Sequence, residues 1–186
     1  MTCVVGMIDP DNRVQYIASD SLYSDGSRAA VGRLEKVYRS GPYLLGFCGS
    51  PRAIQLLRYN TKLPAPPQNP DHLMAFMSSK FITHLRALFN ENGMVIKGDG
   101  VMEQLGDMQV MVIVKGHIFV IWSDMQVDET AESYNAIGSG EDLALGSLYS
   151  TEGHPAESRV RMAIAAASHH CESVGGPVNL ISMPYG

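Results

Sequence analysis

Met1-Thr2-Cys3-Val4-Val5-Gly6 opens the chain, and Cys3 to Ile8 (Cys-Val-Val-Gly-Met-Ile) reads as a buried strand. Asp9-Pro10-Asp11-Asn12 is dense in turn formers. Val14 to Ser19 (Val-Gln-Tyr-Ile-Ala-Ser) reads as the return strand of a hairpin, which carries Asp20 back towards the level of Thr2. If Met1 is removed, Thr2 holds a free α-amine and a β-hydroxyl on one residue, a nucleophile with its own base. Such an amine titrates at about 7.7–8.0, so a good share is unprotonated near neutrality. Removal is expected because Thr2 is small, and methionine aminopeptidases cut before small residues. Taken alone, Met-Thr is also how an ordinary chain begins.

At 186 residues, 45% of them hydrophobic and 18% charged, the chain is expected to form a single domain over 1–186 with a substantial core. A formal charge of −5 with no Lys/Arg run argues against nucleic acid as a partner. No apolar run approaches the roughly 20 residues of a membrane helix, and Asp9, Asp11 and Arg13 interrupt any signal peptide, which points to a cytoplasmic location. Cys3, Cys48 and Cys171 are too widely spaced for a disulfide framework or a CxxC metal motif, and each is expected to act as a small buried hydrophobe. The eleven methionines are read as core filling. His169 and His170 point in different directions on a helix, which suits a surface helix end rather than a metal site. No metal or cofactor is implied.

Further along, Ser21 to Arg33 reads as a polar, Gly-containing loop, and Leu34 to Arg39 as a short strand with Lys36 on the side of Leu34 and Tyr38. Tyr43 to Cys48 is another strand, and Ser50-Pro51 is a helix start, Ser50 capping and Pro51 in the first helical position. That helix runs to about Tyr59. The proline-rich stretch Leu63 to Pro70 reads as a stiff connection to a second helix over 71–90, whose apolar residues recur at helical spacing. Lys97 to Gly100 is a loop. Strands are expected at 108–114, 117–123, 125–127 and 134–137, helices at about 141–151 and 156–173, and a last strand at 178–183. Pairs of helices alternating with antiparallel hairpins suggest an α+β, four-layer α-β-β-α sandwich, two antiparallel sheets flanked by helices. Burial of both sheet faces explains strands that are apolar along their whole length.

This arrangement resembles the N-terminal nucleophile hydrolases, and more narrowly the proteasome β-subunit family with its HslV-type branch. Four stretches carry the resemblance: Thr2-Cys3-Val4-Val5-Gly6; Ile17-Ala18-Ser19-Asp20; Glu35-Lys36-Val37-Tyr38-Arg39; and Leu45-Gly46-Phe47-Cys48-Gly49 together with Ala136-Ile137-Gly138-Ser139-Gly140. The sixteen-residue separation of Asp20 and Lys36 equals the family's usual spacing, and the hairpin before Asp20 is about two residues longer.

The resemblance implies a threonine peptidase in which Thr2 Oγ attacks a peptide carbonyl and the α-amine is the base. Lys36 would keep that amine deprotonated by like-charge repulsion, and Asp20 would hold Lys36 charged and in place. Gly46 would donate its backbone N–H to the oxyanion, a contact worth roughly 2.7–4 kcal/mol in other hydrolases. Ser139 would hydrogen-bond the Thr2 amine, and Tyr23, Leu44 and Cys48 would line the specificity pocket. The family also implies rings or stacked rings of one chain, polypeptide substrates, and a separate ATPase, since no GxxxxGK[ST] motif is present here. One departure is the segment His169 to Gly176, which has no aspartate where many relatives carry one; Ser173 can stand for the family's serine there and Glu172 is the nearest acid. Two other outcomes stay open, a non-catalytic assembly of the same fold and an amidase acting on a small amide.

Overall fold

The computed structural model describes residues 2–24, 28–98, 101–106 and 108–186, with the backbone alone of 96–98 and 101–103. In chain order the strands are β1 (Val4–Asp9), β2 (Val14–Ser19), β3 (Leu22–Ser24), β4 (Ala29–Val31), β5 (Val37–Ser40), β6 (Tyr43–Cys48), β7 (Ile96–Gly98), β8 (Val101–Gln104), β9 (Gln109–Val114), β10 (His117–Ile121), β11 (Val127–Glu129), β12 (Tyr134–Ile137) and β13 (Asn179–Pro184). The helices are α1 (Pro51–Tyr59), α2 (Leu73–Phe76), α3 (Ile82–Glu91), α4 (Glu141–Ser150) and α5 (Ala156–His170), and a π-turn over Met77–Phe81 joins α2 to α3.

Two antiparallel sheets lie face to face, a four-stranded one in the order β12-β1-β2-β13 and a five-stranded one in the order β11-β10-β9-β6-β5. Strand parity sorts the side chains into three cores. On β6, Tyr43, Leu45 and Phe47 turn outward to pack with Ile54, Leu57, Phe81 and Phe89 of the helical layer. Its other face, beginning with Leu44, packs between the sheets with Val4, Ile17, Met111 and Ile113. On the far side of the first sheet, Val5, Met7 and Ala18 meet α4 and α5 through Leu148, Val160, Ala163 and Ile164. The expected four-layer α-β-β-α order is therefore the observed one, and strands such as β6 and β9 are buried on both faces. Each fully buried aliphatic side chain contributes roughly 1.5–3 kcal/mol. No described helix is long and apolar enough to cross a membrane.

Several local expectations are corrected. The segment read as a loop over Ser21 to Arg33 contains the hairpin β3/β4, with 25–27 outside the described residues. The loop expected at Lys97 to Gly100 overlaps the hairpin β7/β8, with 99–100 outside. The strand expected from Leu34 starts only at Val37, and Lys36 lies on a bend before it. Ser50 occupies the cap position of α1 in an extended conformation but makes no side-chain capping bond. The last helix ends at His170 rather than 173.

Candidate active site

The hairpin β1/β2 pairs Val4 with Ser19, while on its other edge Val4 pairs with Ile137 of β12. Thr2 therefore enters the sheet between the end of β2 and the Gly138-Ser139-Gly140 turn, and it is 96% covered, with 4% of its surface exposed. The next residue ties it down, because Cys3 N–H donates to Asp20 Oδ1 at 3.0 Å and Asp20 N–H donates to the Cys3 carbonyl at 3.2 Å.

Asp20 is fully buried. Its carboxylate also accepts from Leu22 N–H at 3.1 Å, from Gly175 N–H at 3.2 Å, and from Lys36 Nζ at 2.9 and 3.0 Å. Lys36 in turn donates to the Leu22 carbonyl at 2.6 Å and stands 5.0 Å from the Tyr23 ring centroid. A buried charge needs a partner and full hydrogen bonding, and this pair has both. Strand alternation would have put Lys36 with Tyr38, which stacks on Phe47 in the helix-covered core. The bend at Lys36 breaks that alternation and frees the side chain to reach Asp20.

On the other side, the Thr2 nitrogen donates to Ser139 Oγ at 3.2 Å, and the same hydroxyl lies 3.3 Å from the Thr2 carbonyl. Ser139 Oγ is 2.9 Å from Ser173 Oγ, and Ser173 Oγ is 3.1 Å from Cys171 Sγ. Ser173 thus joins the chain of hydroxyls as the sequence allowed, while Glu172 is exposed. Cys171 is not the buried hydrophobe expected; it is partly exposed, and hydrogen bonding to Ser173 lowers its thiol below the ordinary value. Burial pushes the Cys3 thiol up to about 12 and raises Cys48 as well, which keeps both protonated and removes them as nucleophiles. Gly138 has φ +97°, and a Cβ there would sit 2.3 Å from the Thr2 carbonyl oxygen and 2.7 Å from Cys48 Sγ. Only glycine allows Thr2 to lie this close to the turn.

Thr2, Cys48, Gly49, Gly138 and Ser139 border one cavity of about 560 Å³, lined also by Met108, Gln109, Trp122, Ser123 and Glu141. The structure thus brings Thr2, Asp20, Lys36, Ser139 and Cys48 together. Gly46 is not in the cavity: a Cβ there would meet Val4 Cγ1 at 2.5 Å and Ile17 Cδ1 at 2.9 Å, between the sheets. Phe47 N–H donates to the Lys36 carbonyl at 3.1 Å, so ladder alternation turns the Gly46 N–H the opposite way, towards Met111 of β9. Leu44 is likewise buried between the sheets, and Tyr23 donates its hydroxyl to the Leu34 carbonyl beside Lys36, outside the cavity. Leu44, Gly46 and Cys48 share one face of β6, and only Cys48, at the strand end, reaches the cavity. Gly49, one residue on and with φ +102°, is the glycine of this segment that borders it. Sequence reasoning also missed Met108, Gln109, Trp122 and Glu141, which come from strand and helix ends that only folding assembles. His169 and His170 lie exposed in the last turn of α5, and among the described residues no cluster of His, Cys, Asp or Glu could hold a metal.

No protein-family model matches the sequence, and no curated protein matches it. Solved structures do. The chain superposes on BPH of Thiobacillus denitrificans in complex with epoxomicin with a TM-score of 0.80 at 22% identity, covering 100% of both chains. A second structure of BPH from that organism gives 0.78 at 24% identity, over 100% of this chain and 99% of that one. Eukaryotic HslV from Trypanosoma brucei gives 0.72 at 17% identity, over 99% of this chain and 100% of that one. The chain has an HslV-type fold. That likeness is one of architecture, and the chemistry open to this chain is argued from the side chains around Thr2.

Proposed function

We propose that the protein is a threonine-type endopeptidase whose nucleophile is Thr2, exposed by removal of Met1, a residue outside those described. The observation that carries this reading is the convergence on Thr2 of Ser139 at 3.2 Å and, through Cys3, of the buried Asp20–Lys36 pair, at the edge of a cavity of about 560 Å³.

In this reading the Thr2 amine takes the proton from Thr2 Oγ, directly or through one water, as Oγ attacks the substrate carbonyl. The neighbouring Lys36 cation disfavours the protonated amine and keeps it a base near neutral pH. Ser139, hydrogen-bonded to Ser173, orients the amine. Collapse of the tetrahedral intermediate breaks the C–N bond, the departing amine takes the proton, and an ester on Thr2 remains. Water then hydrolyses that ester by the same base. Gly49, rather than Gly46, fits the oxyanion donor, since its backbone borders the cavity. Cys48 forms part of the pocket wall. Several copies of the chain would form a ring or stacked rings enclosing these sites, fed with unfolded polypeptide by a separate ATPase in the cytoplasm.

Intact mass spectrometry of protein from its native host should show loss of Met1. Incubation with epoxomicin, which one of the similar structures holds, should add one probe mass at Thr2, because a peptidyl epoxyketone reacts with a hydroxyl and a free amine on the same residue. Complete retention of Met1 would overturn the reading and leave a non-catalytic assembly; an unmodified Thr2 at saturating probe in folded, Met1-free protein would overturn it and leave the small-amide amidase as well.

A further inference from the structure

The cavity beside Thr2 is electrostatically one-sided. Among the described residues that line it, Glu141 is the sole side chain charged at neutral pH, and Lys, Arg and His are absent from the lining. Glu141 opens α4, and its Oε2 accepts from Gly138 N–H at 3.1 Å. Gln109 Oε1 shares that N–H at 3.2 Å, so the carboxylate is anchored to the residue that packs against Thr2. It has no cationic partner among the described residues, and burial raises its carboxyl above the ordinary value, with neighbouring Asp142 adding to the rise. The rest of the lining mixes neutral polar residues, Thr2, Gln109, Ser123 and Ser139, with the apolar side chains of Met108, Trp122 and Cys48. Met108 is buried, and Trp122 is held by a 2.6 Å bond from its indole N–H to Asp128 Oδ2 while 38% of its surface stays exposed.

A carboxylate without a cationic partner, in a lining that also carries an indole ring and a thioether, suits a side chain with a long apolar stem and a cationic head. Lys and Arg bury such stems while the head seeks charge or water, and cations also favour the face of an indole ring. A neutral aliphatic side chain would leave Glu141 unpaired and further desolvated, and an acidic one would add repulsion.

We propose that Glu141 selects a lysine or arginine next to the scissile bond, making this a peptidase with a cation-accepting subsite formed by Glu141, Trp122 and Met108. The inference rests on the peptidase reading above and names its substrate class. Glu141 acts here by contact with the substrate side chain, and Gln109 keeps Gly138 anchored when the carboxylate is replaced.

The test uses the assembled, Met1-free enzyme on peptide pairs that differ only in lysine versus norleucine at the residues flanking the cleaved bond, with cleavage sites read by mass spectrometry. Norleucine keeps the stem and removes the charge. The wild type should favour lysine by about tenfold in kcat/KM, the scale of one partly exposed ion pair. Glu141→Gln, which keeps the shape and an acceptor for Gly138, should bring the ratio close to one. Glu141→Lys should invert preference towards glutamate over glutamine in a matching pair. A wild-type ratio near one, or a ratio unchanged in Glu141→Gln, would overturn the inference while leaving peptidase activity in place. If no peptide is cleaved, the inference is overturned, and the presence or absence of the epoxomicin adduct on Thr2 decides whether the peptidase reading falls with it.

Discussion

Lys36 and Asp20 meet at 2.9 Å, and Arg161 and Glu157 meet at 2.8 Å, yet the two ion pairs belong to different regimes. The first pair is 2% and 0% exposed and lies where β1, β2 and the bend before β5 converge; the second is 51% exposed on both partners along one face of α5. Water competes with the exposed pair and screens it, so its geometry says little about stability. The buried pair cannot fall back on water, so each partner depends on the other and on the backbone amides of Cys3, Leu22 and Gly175. Distance alone does not distinguish the two; the surroundings do.

The largest expected effect follows from removing the shared acceptor. Asp20→Ala strands Lys36 and the three backbone donors at once, and should destabilise the fold by about 3–5 kcal/mol in chemical denaturation. A loss below 1 kcal/mol would place the pair in the surface class and break the contrast. Gly138→Ala comes next, because a Cβ would lie 2.3 Å from the Thr2 carbonyl at a φ of +97°. Backbone strain of this kind costs of order 1–3 kcal/mol, and the displaced Thr2 should take up epoxomicin more slowly. An unchanged labelling rate would show that the close approach does not position Thr2.

Ser139→Ala removes one hydrogen bond to the Thr2 nitrogen and should cost about 1 kcal/mol in stability. Its effect on turnover should be larger, a drop of at least about tenfold in kcat, equivalent to 1.4 kcal/mol of barrier. Restoration by Ser139→Thr would confirm that the hydroxyl matters; a kcat within twofold of wild type in the alanine variant would remove Ser139 from the mechanism. The smallest effect belongs to the exposed pair. Arg161→Ala should change stability by no more than about 0.5 kcal/mol and lose even that in high salt. A loss comparable to that of Asp20→Ala would erase the distinction drawn between the two regions.

The candidate site was legible to different depths. The family resemblance pointed to Thr2, Asp20 and Ser139, and the structure brings them together because they stand at strand ends and turns, where chain position and proximity in space go together. The hairpin β1/β2 carries Asp20 to Cys3 through local pairing alone. Lys36 was pointed to by the resemblance, whose usual spacing from the aspartate it matches, and it meets Asp20 although the strand expected to carry it begins one residue later. Gly46 and Leu44 were misplaced for one reason. Both alternate onto the same face of β6 as Cys48, and alternation tells which face a residue takes but not whether that part of the face meets a second sheet or an opening. Tyr23 was misplaced because the hairpin β3/β4 lies in a segment with too little apolar pattern to reveal it.

What the chain determined by itself was the order of its main strands and helices, since periodicity and turn chemistry are local properties; the short hairpins β3/β4 and β7/β8 and the exposure of Cys171 were not among them. A nucleophile and a base for it are also present in the single residue Thr2 once its amine is free. What only the tertiary structure decided was which side chains meet across long separations. Ser139 closes on Thr2, and Ser173 on Ser139, because α5 and the turn before α4 pack against β1, so closely that a Cβ on Gly140 would lie 3.0 Å from Cys3 Cβ. Gly49 rather than Gly46 borders the cavity because Val4 and Ile17 of the four-stranded sheet cover Gly46. Glu141 faces the cavity for a similar reason, since the position of α4 follows from the packing of α4 and α5 on the first sheet, an arrangement to which residues far apart in the chain contribute together.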